Sequence, residues 1–209
     1  IQAIKSLNLD VLHGEFVGII GKSGSGKSTI LKSIYRTNHP ENGTIMFQSS
    51  IYGSIDLLQA KDQEIIDIRM HEIGYVSQFL HILPRTTAFD YVKQSLLDAD
   101  TSLKNADQLV SEILSHFELS ENLWSMYPNT FSGGEKLRLN VAAAMIKKPR
   151  LLLLDEPTAS LDTNSKLKVK ELIQILKNEG TTMIGIFHDI DFIHDLCDRV
   201  IQLDKGELI

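Results

Sequence analysis

Apolar positions along the chain follow two different periods, and together they predict an alternation of strands and helices. Strands are predicted over the largely apolar residues 16–20, 150–154 and 181–187, and the aliphatic run within 150–154 is typical of a strand buried on both faces. Segments between them carry apolar residues at the three- and four-residue spacing of amphipathic helices. Strands and helices that alternate in this way indicate an α/β fold built on a mostly parallel sheet.

The remaining predicted elements are shorter. A turn over Pro40–Gly43 is predicted from its proline, asparagine and glycine. Further short strands are predicted over residues 44–47, 74–77 and 200–203. Helical spacing predicts helices over residues 29–35, 62–69, 87–97, 105–117, 135–146, 165–178 and 190–197.

The distribution of these elements indicates one domain with a helical insertion. Strand signals are confined to residues 1–78 and 149–209, whereas residues 79–148 carry helical spacing and loops. We interpret the two outer segments as one α/β core and the middle segment as a helical subdomain inserted into it. A chain of 209 residues is long enough for this arrangement.

Composition excludes some classes of protein and favours others. The formal net charge of −6 argues against a binder of duplex nucleic acid, which usually has a basic face. The single cysteine, Cys197, cannot form an internal disulfide, which favours a reducing cytoplasmic setting. No apolar run approaches the roughly 20 residues that span a bilayer. Any link to a membrane is therefore expected to go through a partner.

The residues after the first strand form a phosphate-binding motif. Gly21–Ser28 fits the pattern G-x-x-x-x-G-K-[ST] and lies between a predicted strand and a predicted helix. Glycines let such a loop curl and turn its amides towards a phosphate chain, next to a helix N-terminus. Lys27 is expected to reach the β- and γ-phosphates and Ser28 to ligate Mg²⁺. The predicted nucleotide-binding residues here are Gly21, Lys22, Ser23, Gly24, Ser25, Gly26, Lys27, Ser28 and Thr29.

Two acidic residues end the central apolar strand. Asp155 and Glu156 follow Leu151–Leu154, and ligands of open α/β sheets bind at the carboxyl ends of strands. Asp155 is expected to hold Mg²⁺, directly or through water, and Glu156 to orient or deprotonate an attacking water. With the glycine loop, this pair predicts a P-loop nucleoside triphosphatase.

A second glycine motif narrows the family. Ser132-Gly133-Gly134-Glu135 opens a predicted helix shortly before the acidic strand, with serine as a good helix cap. With this signature loop and Arg138 after it, the chain resembles the ATP-binding cassette ATPases over nearly its whole length. The resemblance implies an ATP- and Mg²⁺-dependent ATPase, in which a small antiparallel β subdomain and a helical signature subdomain accompany the P-loop core.

The resemblance also assigns roles to single residues. It implies that Gln78 ligates Mg²⁺ and senses the γ-phosphate, and that His188 contacts the γ-phosphate. The segment Ala159–Asp162 matches the loop that carries signals across a dimer. In this family the signature loop of one subunit (Ser132, Gly133, Gly134 and Glu135 here) caps the ATP bound by the other. A second cassette subunit, either a copy of this chain or a sister cassette, is therefore an expected partner.

Longer sequence segments indicate two different roles for the chain. Residues 78–85, 123–124 with 128–135, 154–162 and 185–189 resemble PhnL-type cassette subunits of the carbon–phosphorus lyase system. That resemblance implies phosphonate catabolism with a soluble lyase core complex in the cytoplasm. The alternative is the ATPase of a lipoprotein- or macrolide-type exporter, which shares the charged stretch before residue 74. A cassette acting on DNA or ribosomes is disfavoured by the acidic balance and by the absence of a long coiled-coil pattern.

Two points stay open in the sequence. The groove beside Gln78, formed by residues 79–91, is expected to meet either a permease or a soluble partner. The aromatic residue that stacks on adenine in this family is expected before Ile1.

Overall fold

The computed structural model describes residues 4–77, 80, 84–99, 104–159, 161–188 and 190–209. Its strands are β1 (Phe16–Ile20), β2 (Met46–Ser49), β3 (Gly53–Asp56), β4 (Ile73–Val76), β5 (Leu151–Asp155), β6 (Thr182–Ile186), β7 (Arg199–Asp204) and β8 (Glu207–Leu208). Its helices are α1 (Lys27–Ile34), α2 (Asp62–His71), α3 (Ala88–Ala99), α4 (Ala106–His116), α5 (Glu121–Trp124), α6 (Gly133–Met145), α7 (Thr163–Asn178) and α8 (Ile190–His194).

The main sheet has six strands in the order β4-β5-β6-β1-β7-β8. All neighbours are parallel except β7 and β8, which form an antiparallel pair. β2 and β3 form a separate antiparallel pair. The predicted fold class, a mostly parallel sheet with a small antiparallel sheet and helices, is therefore confirmed.

The two faces of the sheet are buried in two different apolar clusters. On β5, Leu152 and Leu154 belong to one cluster, whereas Leu151 and Leu153 belong to the other. This division follows from the alternation of side chains along a strand, and it explains why β5 is apolar throughout. Helices α3, α4, α6 and α7 contribute to the first cluster, and α1 and α2 contribute to the second. The sheet thus lies between two helical layers.

Most predicted elements are present with shifted ends, and four short ones were missed. The strand predicted over 44–47 is β2, which begins at Met46 because its pairing with β3 begins there, at Met46 opposite Asp56. The sequence did not predict β3, α5, β8 or a 3-10 turn over Pro128–Thr130. Each of these spans two to four residues, too few to show a period. Among the residues described, no helix combines the length and the apolar character that a bilayer span requires.

A buried carboxylate ties the small antiparallel sheet to the main one. Glu72, which is 2% exposed, accepts hydrogen bonds from the Ser49 hydroxyl (2.9 Å) and from the Ser50 hydroxyl and backbone amide. The Ile51 amide donates to the same carboxylate at 3.1 Å. The backbone carbonyl of Glu72 accepts from the Leu151 amide, at the start of β5. One residue therefore fixes the β2–β3 turn against the central strand.

We expect Glu72→Ala to lower the free energy of unfolding by roughly 3 kcal/mol, because several buried donors lose their hydrogen-bond acceptor at once. Urea unfolding followed by circular dichroism measures this change. Glu41→Ala, which removes an exposed carboxylate, is the matched control and should stay within about 0.5 kcal/mol of the wild type. Equal stabilities for the two variants would mean that the Glu72 hydrogen bonds do not support the fold.

Candidate functional site

The glycine loop lies between the end of β1 and the start of α1. Gly24 and Gly26 have φ angles of 79° and 105°, in the left-handed region that favours glycine. At Gly21, a Cβ would lie 2.2 Å from the Leu203 carbonyl oxygen, so a larger residue does not fit there. Gly26 caps α1 without any side-chain hydrogen bond, so no side chain of the capping residue occupies the backbone amides of the first turn. Such a helix N-terminus favours anions.

A buried ammonium group closes this loop on itself. Lys27 is 4% exposed, and its Nζ donates to the backbone carbonyls of Gly21 (2.8 Å) and Lys22 (3.0 Å). Lys22, Ser23 and Gly24 are exposed at the tip of the loop. The loop therefore combines an accessible rim with a fixed positive charge at its base. Thr29 follows in the first turn of α1, where its amide donates to the Gly26 carbonyl.

The structure brings Ser28 and Asp155 into contact. The Ser28 hydroxyl donates to Asp155 Oδ1 at 3.0 Å, which joins the start of α1 to the end of β5. The other carboxylate oxygen, Oδ2, accepts from the Tyr75 hydroxyl at 2.7 Å. Burial first, and then this hydrogen bond, raises the pKa of Tyr75 well above its usual range, so the phenol stays protonated and keeps donating.

These oxygens fit a hard cation. Mg²⁺ prefers oxygen ligands, and proteins usually supply only one or two of them because substrate phosphates and waters complete the shell. A hydroxyl and a carboxylate oxygen 3.0 Å apart, beside a phosphate-binding loop, match that pattern. In the part of the chain that the structure describes, no group of three or more histidine, cysteine or acidic side chains forms a metal site.

Glu156 follows Asp155 in an unusual backbone conformation. Its φ is 54°, in a region that costs a residue with a Cβ roughly 1 kcal/mol or more. Its amide donates to the Ile186 carbonyl at the end of β6, which anchors the turn. Its Oε1 lies 2.8 Å from Nε2 of His188, which follows β6. The two residues therefore meet beside the Ser28–Asp155 pair, at the carboxyl edge of the sheet.

The signature residues form a capped helix start. The Ser132 hydroxyl accepts from the Glu135 amide, and the Glu135 carboxylate accepts from the Ser132 amide at 2.7 Å. A Cβ at Gly133 would lie 2.5 Å from Leu161 Cδ2, so glycine permits close packing against the residues before α7. Gly134 is buried and its α-carbon faces Ser165 of α7. The start of α6 thus packs against the start of α7.

Asp162 caps α7. Its carboxylate accepts from the Ser165 amide (3.0 Å) and hydroxyl (2.7 Å), and these bonds hold the pKa of Asp162 below its usual range. No hydrogen bond or ion pair between described residues joins Ser132, Glu135 or Asp162 to the glycine loop. Gln78 and Ser160, together with residues 79 and 81–83 of the predicted groove, lie outside the described residues.

Sequence reasoning missed Tyr75 as part of the site. Its only signal was its place in the strand before Gln78, where a partly buried tyrosine is ordinary. Its contact with Asp155 arises because β4 and β5 are neighbours in the sheet, with Tyr75 level with Leu153. That neighbour relationship joins residues 80 positions apart, and no local pattern shows it.

Comparisons with known proteins show the family to which the chain is similar. The family model described as ABC transporter matches residues 4–159. The chain is 37% identical to the uncharacterized ABC transporter ATP-binding protein YvrO of Bacillus subtilis (strain 168), over 100% of this chain and 88% of that protein. It is 34% identical to the lipoprotein-releasing system ATP-binding protein LolD of Bacteroides fragilis (strain YCH46), over 100% of this chain and 94% of that protein.

A solved structure is also similar to this chain. The dimeric post-hydrolysis state of the ATP-binding cassette MJ0796, bound to ADP and Pi, superimposes with a TM-score of 0.87. It is 32% identical to this chain, and the match covers 99% of this chain and 88% of that one. The chain therefore belongs to the ABC transporter family of ATP-binding cassettes. It is an ATPase, as predicted from its phosphate loop and acidic strand.

Proposed function

We propose that this chain is the ATP-hydrolysing subunit of a membrane transporter of the lipoprotein-releasing or macrolide-exporter kind. The ATPase activity in this proposal is supported by one observation. The residues Lys27, Ser28, Asp155 and Glu156 lie together at one edge of the sheet. The transporter part rests on the relatives, since LolD is named for a lipoprotein-releasing system and matches this chain along its whole length. The exporter alternative considered from the sequence is thus better supported than the lyase hypothesis.

Within the proposed site, each side chain has a task that suits its position. Lys27 and the loop amides bind the β- and γ-phosphates of ATP, and Ser28 and Asp155 hold Mg²⁺. The ion, when bound, offsets the negative charge of the phosphates. Glu156 accepts a proton from the attacking water, while His188, held 2.8 Å from Glu156, contacts the γ-phosphate. Gln78 would be a further ligand of the ion in this proposal.

The site becomes complete only when two cassettes associate. We place Ser132, Gly133, Gly134 and Glu135 of one subunit over the ATP held by the other, with Asp162 at the contact between subunits. The similarity to MJ0796, a cassette solved as a dimer, supports this arrangement. The second subunit is a copy of this chain or a sister cassette. The chain works in the cytoplasm and meets the membrane through a permease, without binding nucleic acid.

A role in the carbon–phosphorus lyase system is the second candidate. It rests on the sequences of residues 78–85, 123–124 and 128–135, which resemble PhnL-type subunits and imply phosphonate breakdown with a soluble complex. The relatives compared above carry transporter names, and none of them carries a name from that system. The two candidates differ in the partner that they require, and this difference makes them separable.

Affinity purification from the native cells separates the two candidates. The tagged protein is captured from membrane and soluble fractions of cells grown with phosphate or with a phosphonate as sole phosphorus source. We expect an integral membrane permease in the membrane fraction under both conditions. Soluble lyase subunits in its place, with no permease, would contradict the transporter proposal. An untagged strain is the control for nonspecific capture.

A further inference from the structure

Both oxygens of the Asp155 carboxylate are held, and by different elements. Oδ1 accepts from Ser28 on α1, and Oδ2 accepts from the Tyr75 hydroxyl on β4 at 2.7 Å. A carboxylate with a single partner rotates about its Cβ–Cγ bond, whereas one with partners on both oxygens is fixed in direction. Tyr75 therefore determines how Asp155 faces the phosphate loop.

The ring of Tyr75 is itself fixed by a stack of side chains. The ring centroids of Tyr75 and Tyr35 lie 4.9 Å apart, with planes inclined by 46°. The guanidinium carbon of Arg69 lies 4.6 Å from the centroid of the Tyr35 ring. Arg69 is held in turn, because its Nε donates to the Tyr35 carbonyl at 2.6 Å. The phenol of Tyr75 is thus presented to Asp155 by a rigid support that reaches from α1 to α2.

Tyr75 also borders a cavity of about 240 Å³ between α2, α3 and α6. Tyr91, on α3, lines the same cavity, and its hydroxyl has no hydrogen-bond partner among the residues described. The chain therefore offers two tyrosines in one cavity, of which one contacts Asp155 and the other does not. This pair provides a matched control for the contribution of the Tyr75 hydroxyl.

We propose that Tyr75 is a positioning residue for the magnesium site, holding Asp155 so that its free lone pairs face the bound metal and phosphates. This inference rests on the proposed function, because it takes Asp155 to be a metal ligand. It goes beyond that function by assigning the orientation of the ligand to a residue that touches neither nucleotide nor metal. The hydroxyl contributes to metal affinity and leaves binding of metal-free nucleotide unaffected.

The test compares the wild type, Tyr75→Phe and Tyr91→Phe. Mn²⁺ stands in for Mg²⁺, and its binding is followed by electron paramagnetic resonance in the presence of a non-hydrolysable ATP analogue. Binding of the analogue in EDTA is measured in parallel, and thermal unfolding confirms that each variant is folded. We expect Tyr75→Phe to raise the half-saturating Mn²⁺ concentration on the order of two- to tenfold, the size of one hydrogen bond. Tyr91→Phe should match the wild type.

Three kinds of result would overturn the proposal. The first is an unchanged Mn²⁺ dependence in Tyr75→Phe. The second is an equal shift in Tyr91→Phe, or a loss of analogue binding in EDTA by Tyr75→Phe, since either shows a general structural effect. The third is a wild type that binds no analogue even with Mn²⁺. That result contradicts the proposed function itself and so is distinguishable from a failure of the Tyr75 inference alone.

Discussion

Glu156→Gln is expected to lower the turnover number for ATP by roughly 100-fold or more while leaving ATP binding intact. The amide keeps the size of the side chain but cannot take a proton from the attacking water. It also retains an oxygen that can contact His188, now 2.8 Å from the carboxylate, so the local geometry should survive. ATP that binds but is not hydrolysed should accumulate between two cassettes.

Steady-state phosphate release and equilibrium ATP binding measure the two halves of this prediction. Glu41→Gln makes the same chemical change at an exposed acid outside the predicted site and should turn over like the wild type. If Glu156→Gln hydrolysed ATP at the wild-type rate, Glu156 would not be the base. If it failed to bind ATP, its effect would be structural and the assignment of its role would be unsupported.

Ser132→Arg is expected to reduce turnover by roughly 100-fold or more without weakening ATP binding by the separate subunit. Ser132 is exposed at the start of α6, where its hydroxyl and its amide are hydrogen-bonded to Glu135 within the same turn. In the proposed arrangement this surface closes over the ATP of the other subunit. A bulky, charged side chain there would hold the two cassettes apart, while the glycine loop of the same chain remains unaltered.

Ser132→Ala is the control for the loss of the helix cap. Both variants remove the cap of α6, which costs about 1 kcal/mol of stability, but only arginine adds bulk. We therefore expect the alanine variant to keep a larger share of its turnover than the arginine variant. A loss of ATP binding in Ser132→Arg would instead indicate that the signature residues contact the nucleotide bound by their own chain.

The layered core was predictable because the burial of each central strand is evident from the apolar residues of that strand alone. Leu151–Leu154 read as apolar throughout since alternate side chains enter the clusters on opposite faces of the sheet. The phosphate loop was predictable for a similar reason. Gly21, Gly24 and Gly26 adopt positive φ angles, a conformation that favours glycine over residues with a side chain.

Contacts that depend on the order of strands could not be predicted. Tyr75 meets Asp155 only because β4 and β5 are adjacent, and Glu72 meets Ser49 only because the β2–β3 turn folds back against α2. Nothing in the local pattern of either segment shows its neighbour. The short strands β3 and β8 were missed on the same grounds, since pairing and not period defines them.

The resemblance to lyase subunits shows a different limit of prediction from sequence. The segments that suggested it, such as residues 154–162, include or adjoin the motifs predicted to bind and hydrolyse ATP. All cassettes need these motifs for ATP hydrolysis. The sequence near the motifs therefore distinguishes poorly between cassettes of different function. Whole-chain identities of 37% to YvrO and 34% to LolD give a broader comparison, and they favour the transporter proposal.

Sedimentation of Glu156→Gln with ATP and Mg²⁺ tests most directly the claim that two chains build one site. We predict a species of twice the 23.5 kDa chain mass with ATP, and a single chain without nucleotide or when Ser132→Arg is added to the same protein. The doubly substituted chain should still bind ATP. A Glu156→Gln protein that remained a single chain with ATP bound, alongside a wild type whose turnover per chain did not change with protein concentration, would contradict the account.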